Sequence, residues 1–446
     1  MASKGEKVAG WGMYPVVRGE LSRPRSEDDL RAELSRDGAV IARGNGRSYG
    51  DSSFNTEGAT SMLRLSRLIE FDREAGLLTC EAGTLLGDVI GAVLPLGFFP
   101  PVTPGTKYVT IGGMIASNVH GKNAVRDGAF GDHVAWFDLM RAGGEIVRCS
   151  AQENEALFRD TIGGMGLTGI ILRAAFKLRR VESGWVKQTR TAHDNLYSVM
   201  DAFAASEEAT YRVAWIDVLA RGRSLGRSIL DIGEHATLDD LDARQRAAPF
   251  DVRIRGKKAV PFAPPISPLN GLTVRAFNAY HYRAGKGSAG ESVIDWDSYF
   301  YPLDALLHWN RIYGRAGFAQ YQCVLPKENS EAGLTALLDT ISGSGRGSFL
   351  AVLKRLGPTC GTLSFPMDGY TLALDFPWSK PTAKLLDRLD EITLAHGGRV
   401  YLTKDSRLKA PVLRQMQPTA DDFRAMRELD GSAGRFSSLQ SERLGL

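Results

Sequence analysis

Short apolar segments alternate with amphipathic ones along the first 180 residues, and glycines separate them. Apolar positions in short runs are typical of strands, whereas apolar positions repeating every three or four residues are typical of helices. The pattern predicts helices over 26–38 and 84–97, strands over 39–44, 77–83 and 166–181, and a hairpin over 137–150 that turns at residues 142–144. This part of the chain is therefore expected to mix strands and helices.

The pattern changes near residue 185, where the apolar segments become longer and more aromatic. Strands are predicted over 211–220, 318–326, 347–357 and 371–377, with helices over 330–343 and 380–398. Long strands separated by helices favour an antiparallel sheet covered by helices. The intervening stretch 253–292 is rich in Lys, Arg, Pro, Gly and Ser and predicts a mobile loop, and short helical patterns return after residue 399.

Composition narrows the class of protein. The 446 residues contain 55 Lys and Arg against 51 Asp and Glu, a balance that argues against a nucleic-acid-binding surface. The 43% hydrophobic and 24% charged content is that of a globular protein. No run reaches the roughly 20 apolar residues of a membrane-spanning helix, and the polar start does not read as a signal peptide. We expect a soluble or peripherally attached cytoplasmic protein.

The four cysteines are widely separated, at Cys80, Cys149, Cys323 and Cys360. They form no CxxC pair and show no spacing typical of metal ligands. Such a pattern favours reduced thiols in a reducing compartment, with no metal site.

Three glycine-rich segments lie within the first 170 residues, at 42–53, 104–123 and 163–170. Successive backbone N–H groups in such loops can surround phosphate oxygens, and glycine lets the backbone approach closely. The first segment is not the G-x-G-x-x-G fingerprint, because Tyr49 stands in the third glycine's place and no helical pattern follows. The first segment is therefore not predicted to be a nicotinamide-dinucleotide-binding site. A tight surface turn is the alternative for one such segment, but three together favour cofactor binding.

A resemblance to a known family rests on these segments. RGNGRSYGD (43–51), PGTKYVTIGGMIASNVHGKN (104–123) and GGMGLTGI (163–170) resemble the dinucleotide-binding segments of the vanillyl-alcohol-oxidase-type, or PCMH-type, FAD flavoproteins. With AGGEIVR, WNRIYGRAGFAQYQ, LSFPMDGYTLALDFP and YLTKDSR, the whole chain is similar to the polyprenylphosphoryl-ribose 2-oxidase family of that class.

The resemblance implies an α+β, two-domain PCMH-type fold. The amino-terminal part of the FAD-binding domain should occupy 1–184. A substrate-binding domain, built on an antiparallel sheet covered by helices, should occupy 185–398. The segment 399–446 should return to complete the FAD-binding domain. These boundaries agree with the changes in sequence pattern near 185 and 398.

The resemblance also implies which residues contact FAD. Residues of all three glycine-rich regions and of the carboxyl-terminal segment are expected to bind the cofactor: Ala42, Arg43, Gly44, Asn45, Gly46, Arg47, Ser48, Tyr49, Gly50, Asp51, Ser52, Gly105, Thr110, Ile111, Gly112, Gly113, Ser117, Asn118, Val119, His120, Ile171 and Tyr401. Many relatives attach the flavin covalently through His in a G-H-S motif, where this chain has Arg47. No cysteine lies between Cys80 and Cys149 to offer another attachment, so non-covalent FAD is expected.

Oxidation of a secondary alcohol by hydride loss also needs a base for the hydroxyl proton. The candidate catalytic residues are Lys404, Tyr49 and His120, and the resemblance favours Lys404. A lysine with an ordinary pKa near 10.4 must be buried or lie beside another cation to act as a base. It could instead remain a cation that stabilises negative charge, or pair with Asp405 in solvent.

Four polar residues of the middle region are candidates for substrate binding, namely Gln320, Gln322, Asn310 and Lys354. Gln320 and Gln322 should share one face of a strand, and Lys354 suits a phosphate group. The alternative for each is a polar surface position. Ala373 stands where some members of the family carry a cysteine, so nitroaromatic inhibitors that bond to that thiol should bind here only reversibly.

The resemblance implies FAD-dependent oxidation of the C2 hydroxyl of a polyprenylphosphoryl-β-D-ribose to the 2-keto intermediate. This step is the first half of an epimerisation to the arabinose donor of cell-wall arabinan, completed by a separate short-chain NAD(P)-dependent reductase. Two alternatives stay open: an oxidase of a free alditol or aldonolactone, and a flavin-binding scaffold without catalysis.

A polyprenyl phosphate lies at the bilayer surface, so peripheral contact with the inner membrane is expected. The basic segments 221–228 and 253–258 either attract anionic headgroups or form solvated loops.

Overall fold

Two larger sheets, one two-stranded sheet and several short helices form the amino-terminal part of the protein. The computed structural model describes residues 5–252, 254 and 256–446. The strands of this part are β1 (Glu6–Ala9), β2 (Val16–Ser22), β3 (Ala42–Arg43), β4 (Gly58–Ser61), β5 (Leu68–Asp72), β6 (Leu77–Glu81), β7 (Phe98–Phe99), β8 (Val134–Met140), β9 (Ile146–Ser150), β10 (Ile170–Lys177) and β11 (Arg179–Arg180). The helices are α1 (Glu27–Leu34), α2 (Leu86–Val93), α3 (Ile111–Ala116), α4 (Ala124–Asp127) and α5 (Glu155–Thr161).

The strands pair as a mixed sheet in the order β1-β2-β4-β3 and an antiparallel sheet in the order β5-β6-β10-β8-β9. The predicted hairpin is confirmed, since β8 and β9 pair on either side of the turn at 142–144. Ser26 caps α1 as predicted, accepting a hydrogen bond from the Asp29 N–H. The strand predicted over 39–44 is shorter, because only Ala42 and Arg43 pair with β4 while Val40 pairs with Phe436.

A larger antiparallel sheet follows from residue 185 onward. Its region contains β12 (Trp185–His193), α6 (Leu196–Ala205), β13 (Tyr211–Ile216), β14 (Ser228–His235), α7 (Ala243–Ala247), β15 (Lys258–Ala259), α8 (Gly271–Gly287), β16 (Gly290–Asp295), α9 (Trp296–Phe300), β17 (Leu306–Leu307), β18 (Phe318–Pro326), α10 (Ser330–Ser344), β19 (Ala351–Leu356), β20 (Gly369–Pro377) and α11 (Lys380–Ala395). The chain ends with β21 (Arg399–Val400), α12 (Ala410–Met416), α13 (Thr419–Leu429) and α14 (Leu439–Leu444).

The strand order of this sheet is β16-β12-β14-β13-β19-β20-β18-β21. One face packs its leucines and aromatic rings against α6, α10 and α11, where side chains such as Phe203, Leu338 and Leu389 are fully buried. Because side chains alternate between the two faces of a strand, the other face carries the remaining polar and aromatic positions. The predicted antiparallel sheet covered by helices is confirmed.

Helix α8 corrects the prediction of a mobile loop over 253–292. Asn270 accepts hydrogen bonds from the N–H groups of Leu272 and Thr273, which starts the helix. Val274, Asn278 and Tyr282 follow at intervals of four residues and are buried. This helical periodicity outweighs the Gly-rich composition on which the prediction relied. Arg253 and Arg255, which belong to the predicted basic segment, lie outside the described residues.

The carboxyl-terminal residues contact the first glycine-rich loop. The Arg443 guanidinium lies 2.8 Å from the Asp51 carboxylate and 3.0 Å from that of Asp405. Asn55 donates a hydrogen bond to the Ser437 carbonyl at 3.1 Å. The first loop is therefore anchored to the end of the chain, and the domain boundaries at 184 and 398 stay a prediction. Within the described part of the chain, no helix combines the length and the apolar character needed to cross a bilayer.

Candidate active site

A cavity of about 630 Å³ lies between the glycine-rich segments and the open face of the large sheet. This volume is within the usual range for small-molecule and cofactor sites. Most of the predicted site residues line it: Ala42, Gly44, Asn45, Gly46, Arg47, Ser48, Tyr49, Ser52, Gly105, Thr110, Gly112, Gly113, Ser117, Val119, His120, Ile171, Gln320, Gln322, Lys354, Tyr401 and Lys404. Residues from both ends and the middle of the chain therefore meet at one site.

Three predicted cofactor residues of the first loop lie behind the cavity wall. Arg43 donates hydrogen bonds to the Ala9 carbonyl at 2.7 Å and to Ser53 Oγ at 3.0 Å. Gly50 packs so closely against the Asp405 backbone that a side chain there would collide with it. Asp51 is paired with Arg443. All three are placed to hold the shape of the loop.

Ile111, Asn118 and Asn310 also do not line the cavity. Ile111 is fully buried at the start of α3. Asn118 is fully buried and donates a hydrogen bond to Ser364 Oγ at 2.8 Å. Asn310 donates to the Trp11 carbonyl at 3.0 Å. The roles predicted for these residues stay predictions, and their contacts here are structural.

The first glycine-rich loop presents unpaired backbone donors. Among the described residues, no protein acceptor pairs with the N–H groups of Asn45, Gly46, Arg47 and Ser48. Gly46 has φ of +62°, which favours glycine. Gly44 packs against the side chain of Thr110, where a Cβ atom would collide. A run of free N–H groups in a tight loop is a binding site for anionic oxygen atoms. The loop therefore fits the phosphate groups of a dinucleotide.

The second glycine-rich segment contains a helix and is not one continuous loop. Thr110 caps α3 by accepting a hydrogen bond from the Gly113 N–H at 3.3 Å. Gly112 packs tightly against Ala82. The segment brings Gly112, Gly113 and Ser117 to the cavity wall facing the first loop.

Lys404 lies in the cavity against the ring of Tyr49. Its Nζ atom is 3.8 Å from the ring centroid, and no hydrogen-bond acceptor reaches it among the described residues. Burial lowers the pKa of Lys404, the charge of Asp375 opposes that shift, and the charge of Lys354 adds to it. The alternative of a solvated pair with Asp405 is wrong, because Asp405 is fully enclosed and paired with Arg443.

Asp375 is a site residue that the sequence analysis missed. It is buried, accepts a hydrogen bond from Gln320 Nε2 at 2.5 Å and another from the Tyr313 hydroxyl at 3.2 Å. Burial raises its pKa, and these hydrogen bonds and Lys404 act in the opposite direction. The sequence held one signal, since Asp375 is the one charged residue in the apolar strand TLALDFP. Its pairing with Gln320 comes from the strand register of the structure.

His120 is held as a neutral imidazole. Its Nε2 atom lies 3.0 Å from Gln322 Nε2, and Gln322 also contacts Thr371 Oγ1 at 3.1 Å. The amide nitrogen donates, so His120 Nε2 accepts and the ring proton lies on Nδ1. Burial lowers the pKa of His120 well below its ordinary value, and the charges of Lys354 and Lys404 add to that effect.

Three cations line the cavity beside the large sheet: Lys122, Lys354 and Arg190. Burial lowers the pKa of Lys354 to about 8 and that of Lys122 to about 7, although Asp231 partly opposes the shift of Lys122. Arg190 pairs with Asp231 at 2.7 Å. The sequence analysis missed Lys122 and Arg190. For Arg190 the available signal was the alternation of side chains between the two faces of β12. With one carboxylate among three basic side chains, this wall fits an anionic group, whose charge would favour the protonated forms of Lys122 and Lys354.

The cavity is aromatic next to these cations. Trp215, Phe277, His281 and Phe349 line it, and the Trp215 indole N–H donates to the Phe349 carbonyl at 3.0 Å. Ala373 also lines the cavity and lies across the strands from Gln322 and Val352. This part of the site fits an apolar group attached to the anion.

The sequence is similar to those of known proteins. Residues 21–150 match the family model described as an FAD binding domain. The chain is 35% identical to decaprenylphosphoryl-β-D-ribose oxidase of Mycolicibacterium smegmatis, over 99% of this chain and 98% of that one. It is 33% identical to an uncharacterized protein of Streptomyces coelicolor over 79% of this chain and 98% of that one. It is 30% identical to glycolate oxidase subunit GlcD of Bacillus subtilis over 43% of this chain and 42% of that one. The predictions of the α+β FAD-binding fold and of FAD are confirmed.

Proposed function

The chain belongs to the family of decaprenylphosphoryl-β-D-ribose oxidase, whose members are FAD-dependent oxidoreductases, and on that premise we propose that it oxidises the C2 hydroxyl of a polyprenylphosphoryl-β-D-ribose. The product is the 2-keto sugar. One observation carries this proposal: a loop of unpaired N–H groups, a lysine of lowered pKa and a wall of cations meet in one cavity.

The first loop and the α3 region hold the cofactor. The N–H groups of Asn45, Gly46, Arg47 and Ser48 bind its phosphate oxygens, because no protein acceptor competes for them among the described residues. Bound there, FAD would supply the hydride acceptor for oxidation of the alcohol carbon. Tyr401 packs beside His120 with 5.2 Å between ring centroids and adds an aromatic surface to this end of the site.

Lys404 accepts the hydroxyl proton. Burial and the charge of Lys354 favour its neutral amine, whose nitrogen lone pair takes the proton. The two other candidates are less suited. Burial raises the pKa of Tyr49 well above its ordinary value, so its phenol keeps its proton. His120 already accepts a hydrogen bond at Nε2 and carries its proton at Nδ1. We assign both residues a role in orienting the substrate hydroxyl.

Lys354, Lys122 and Arg190 bind the phosphate of the substrate. They bring positive charge to one part of the cavity wall, and Asp231 neutralises only part of it. The aromatic residues Trp215 and Phe277 then contact the first part of the prenyl chain. This arrangement distinguishes a lipid-phosphate-linked sugar from a free alditol or aldonolactone, which carries no anion and no apolar tail.

The keto product requires a second enzyme. Its reduction from the opposite face would give the arabinose epimer, and we propose a separate short-chain NAD(P)-dependent reductase for that step. Because the substrate carries a polyprenyl tail, the protein would work at the surface of the inner membrane from the cytoplasmic side.

Anaerobic mixing of the holoenzyme with polyprenylphosphoryl ribose tests this function. Bleaching of the flavin absorbance is expected, and Lys404→Met should slow it strongly while binding the same amount of flavin. Bleaching by a free alditol or aldonolactone, with none by the lipid-linked ribose, would replace this function with the alternative. A protein that is never reduced by any of them would be a flavin-binding scaffold.

A further inference from the structure

A group of large apolar side chains is exposed on the segment 260–280. Phe262 is 67% exposed, Ile266 84%, Leu272 78% and Tyr280 71%. Phe262 and Ile266 lie in the proline-rich stretch that precedes α8, and Leu272 and Tyr280 lie on α8 itself. Several large exposed apolar side chains on one short segment favour an interaction surface, whereas single ones are ordinary. We call these four residues the apolar patch.

Helix α8 connects this patch to two cavities. Its buried side carries Val274, Asn278 and Tyr282. At 100° per residue, Leu272 and Tyr280 point away from that side. Between these two sides, Phe277 and His281 line the candidate active site on one flank, and Arg275 and Ala279 line a second cavity of about 350 Å³ on the other. The apolar patch therefore lies directly beside the aromatic part of the active site.

The segment that carries the patch has charged residues of one sign only. Residues 252–290 contain seven Lys and Arg and no Asp or Glu, although the whole chain has 55 basic and 51 acidic residues. Within the described part of the chain, Arg275 and Arg283 have no acidic partner. In the second cavity, Arg227 is paired with Asp217 at 2.8 Å, whereas Arg221 contacts only the Ser342 carbonyl. The positive charge of this side is thus largely uncompensated.

We propose that the apolar patch and its arginines form a docking surface for an anionic phospholipid bilayer. Leu272, Tyr280 and the proline-rich loop enter the interface between headgroups and acyl chains, and Arg275, Arg283 and Arg221 contact the headgroups. An apolar helix face flanked by basic residues binds membranes in this way, and each basic residue near an anionic surface strengthens the attraction. A protein partner would need acidic groups at matching positions, whereas an anionic bilayer presents negative charge everywhere.

Docking in this orientation places the aromatic part of the active site at the membrane. A lipid-linked sugar could then enter past Phe277 while its tail stays in the bilayer. This consequence rests on the proposed function, whereas binding to vesicles does not depend on it.

Sedimentation of the holoenzyme with vesicles tests the surface. Binding is expected to phosphatidylcholine vesicles that contain phosphatidylglycerol, and it should fall at high salt because headgroup contacts are screened. The double variant Leu272→Ser/Tyr280→Ser should weaken that binding about tenfold or more. Leu429→Ser is the matched control, since Leu429 is 90% exposed on α13.

The basic residues are tested by a second double variant. Arg275→Ser/Arg283→Ser should make vesicle binding less dependent on salt, and Arg36→Ser, at an exposed arginine, is the control.

The outcomes separate this proposal from the proposed function. Oxidation of a short-chain, water-soluble substrate analogue should be unchanged in Leu272→Ser/Tyr280→Ser, while oxidation of vesicle-borne substrate should fall. The docking surface would be overturned if the holoenzyme stayed in the supernatant with every vesicle. It would also be overturned if Leu429→Ser weakened vesicle binding as much as the double variant does. A dimer that the double variant converts to monomers would overturn it as well, because a second copy would then occupy the patch. Vesicle binding without flavin reduction by either substrate would overturn the proposed function alone.

Discussion

The Lys404 amine lies 3.8 Å from the centroid of the Tyr49 ring, although 355 positions separate the two residues in the chain. Tyr49 belongs to the loop that offers its N–H groups to the cofactor, and Lys404 follows the last strand of the large sheet. The contact therefore sets the proton acceptor beside the cofactor loop. A cation above an aromatic ring is stabilised by that ring, so the contact helps to hold Lys404 in place once its amine has accepted the proton.

Replacement of Lys404 distinguishes a base from a fixed cation. Lys404→Met should lower kcat by about 10²- to 10⁴-fold, the usual contribution of a positioned base. Lys404→Arg keeps a positive charge but cannot give up its proton near neutral pH, so it should be about as impaired. Single-turnover flavin reduction measures both, with flavin content as the control for folding. Substantial activity in Lys404→Arg would show that the residue acts as a cation.

Asp375 should control the pH dependence of the reaction. The amine must be neutral to accept a proton, so kcat/KM should rise as pH increases through the pKa of Lys404. Because the Asp375 charge raises that pKa, Asp375→Asn should lower it and move the rising limb to lower pH, by about one unit. Asp339→Asn, which changes an exposed carboxylate on α10 outside the cavity, is the control. An unchanged or upward-shifted limb in Asp375→Asn would contradict the coupling of the two residues.

The sequence predicted the cofactor side of the site better than the substrate side. Glycine spacing and the residues around it identify a backbone loop, whose function depends on local conformation. Asp375 matters because the strand register places it beside Gln320, fifty-five residues earlier, and local patterns do not contain that pairing. Helix α8 was missed although its signal is local. The Gly, Pro and basic residues of 253–292 favoured a loop, and they obscured the helical spacing of Val274 and Tyr282.

The flavin should be released by acid. Arg47 stands in the loop where relatives of this fold attach the flavin through histidine, and it stacks over the Trp11 ring with 4.0 Å to the centroid. All four cysteines belong to the described residues, and none of them lines the cavity. Precipitation with trichloroacetic acid should leave the yellow colour in the supernatant. A yellow pellet would contradict the prediction of non-covalent FAD.

Arg443 should be a major source of stability for the cofactor loop. Burial alone would raise the pKa of Asp405, but the charges of Arg443 and Arg407 hold it below the ordinary value. Arg443→Met leaves the buried carboxylates of Asp51 and Asp405 without this partner, which should cost about 3 kcal/mol of unfolding free energy. Urea unfolding measures the loss.

The matched control for that measurement is Arg424→Met. The Arg424 side chain lies on the surface of α13 and its ion pairs are 3.8 and 3.9 Å long, so its loss should change the unfolding free energy by less than about 0.5 kcal/mol. Because Asp51 lies in the loop that binds the cofactor phosphates, Arg443→Met should also weaken FAD retention on dilution, whereas Arg424→Met should not. Equal stability of the two variants would show that the carboxylates find other partners and that the end of the chain does not fix the loop.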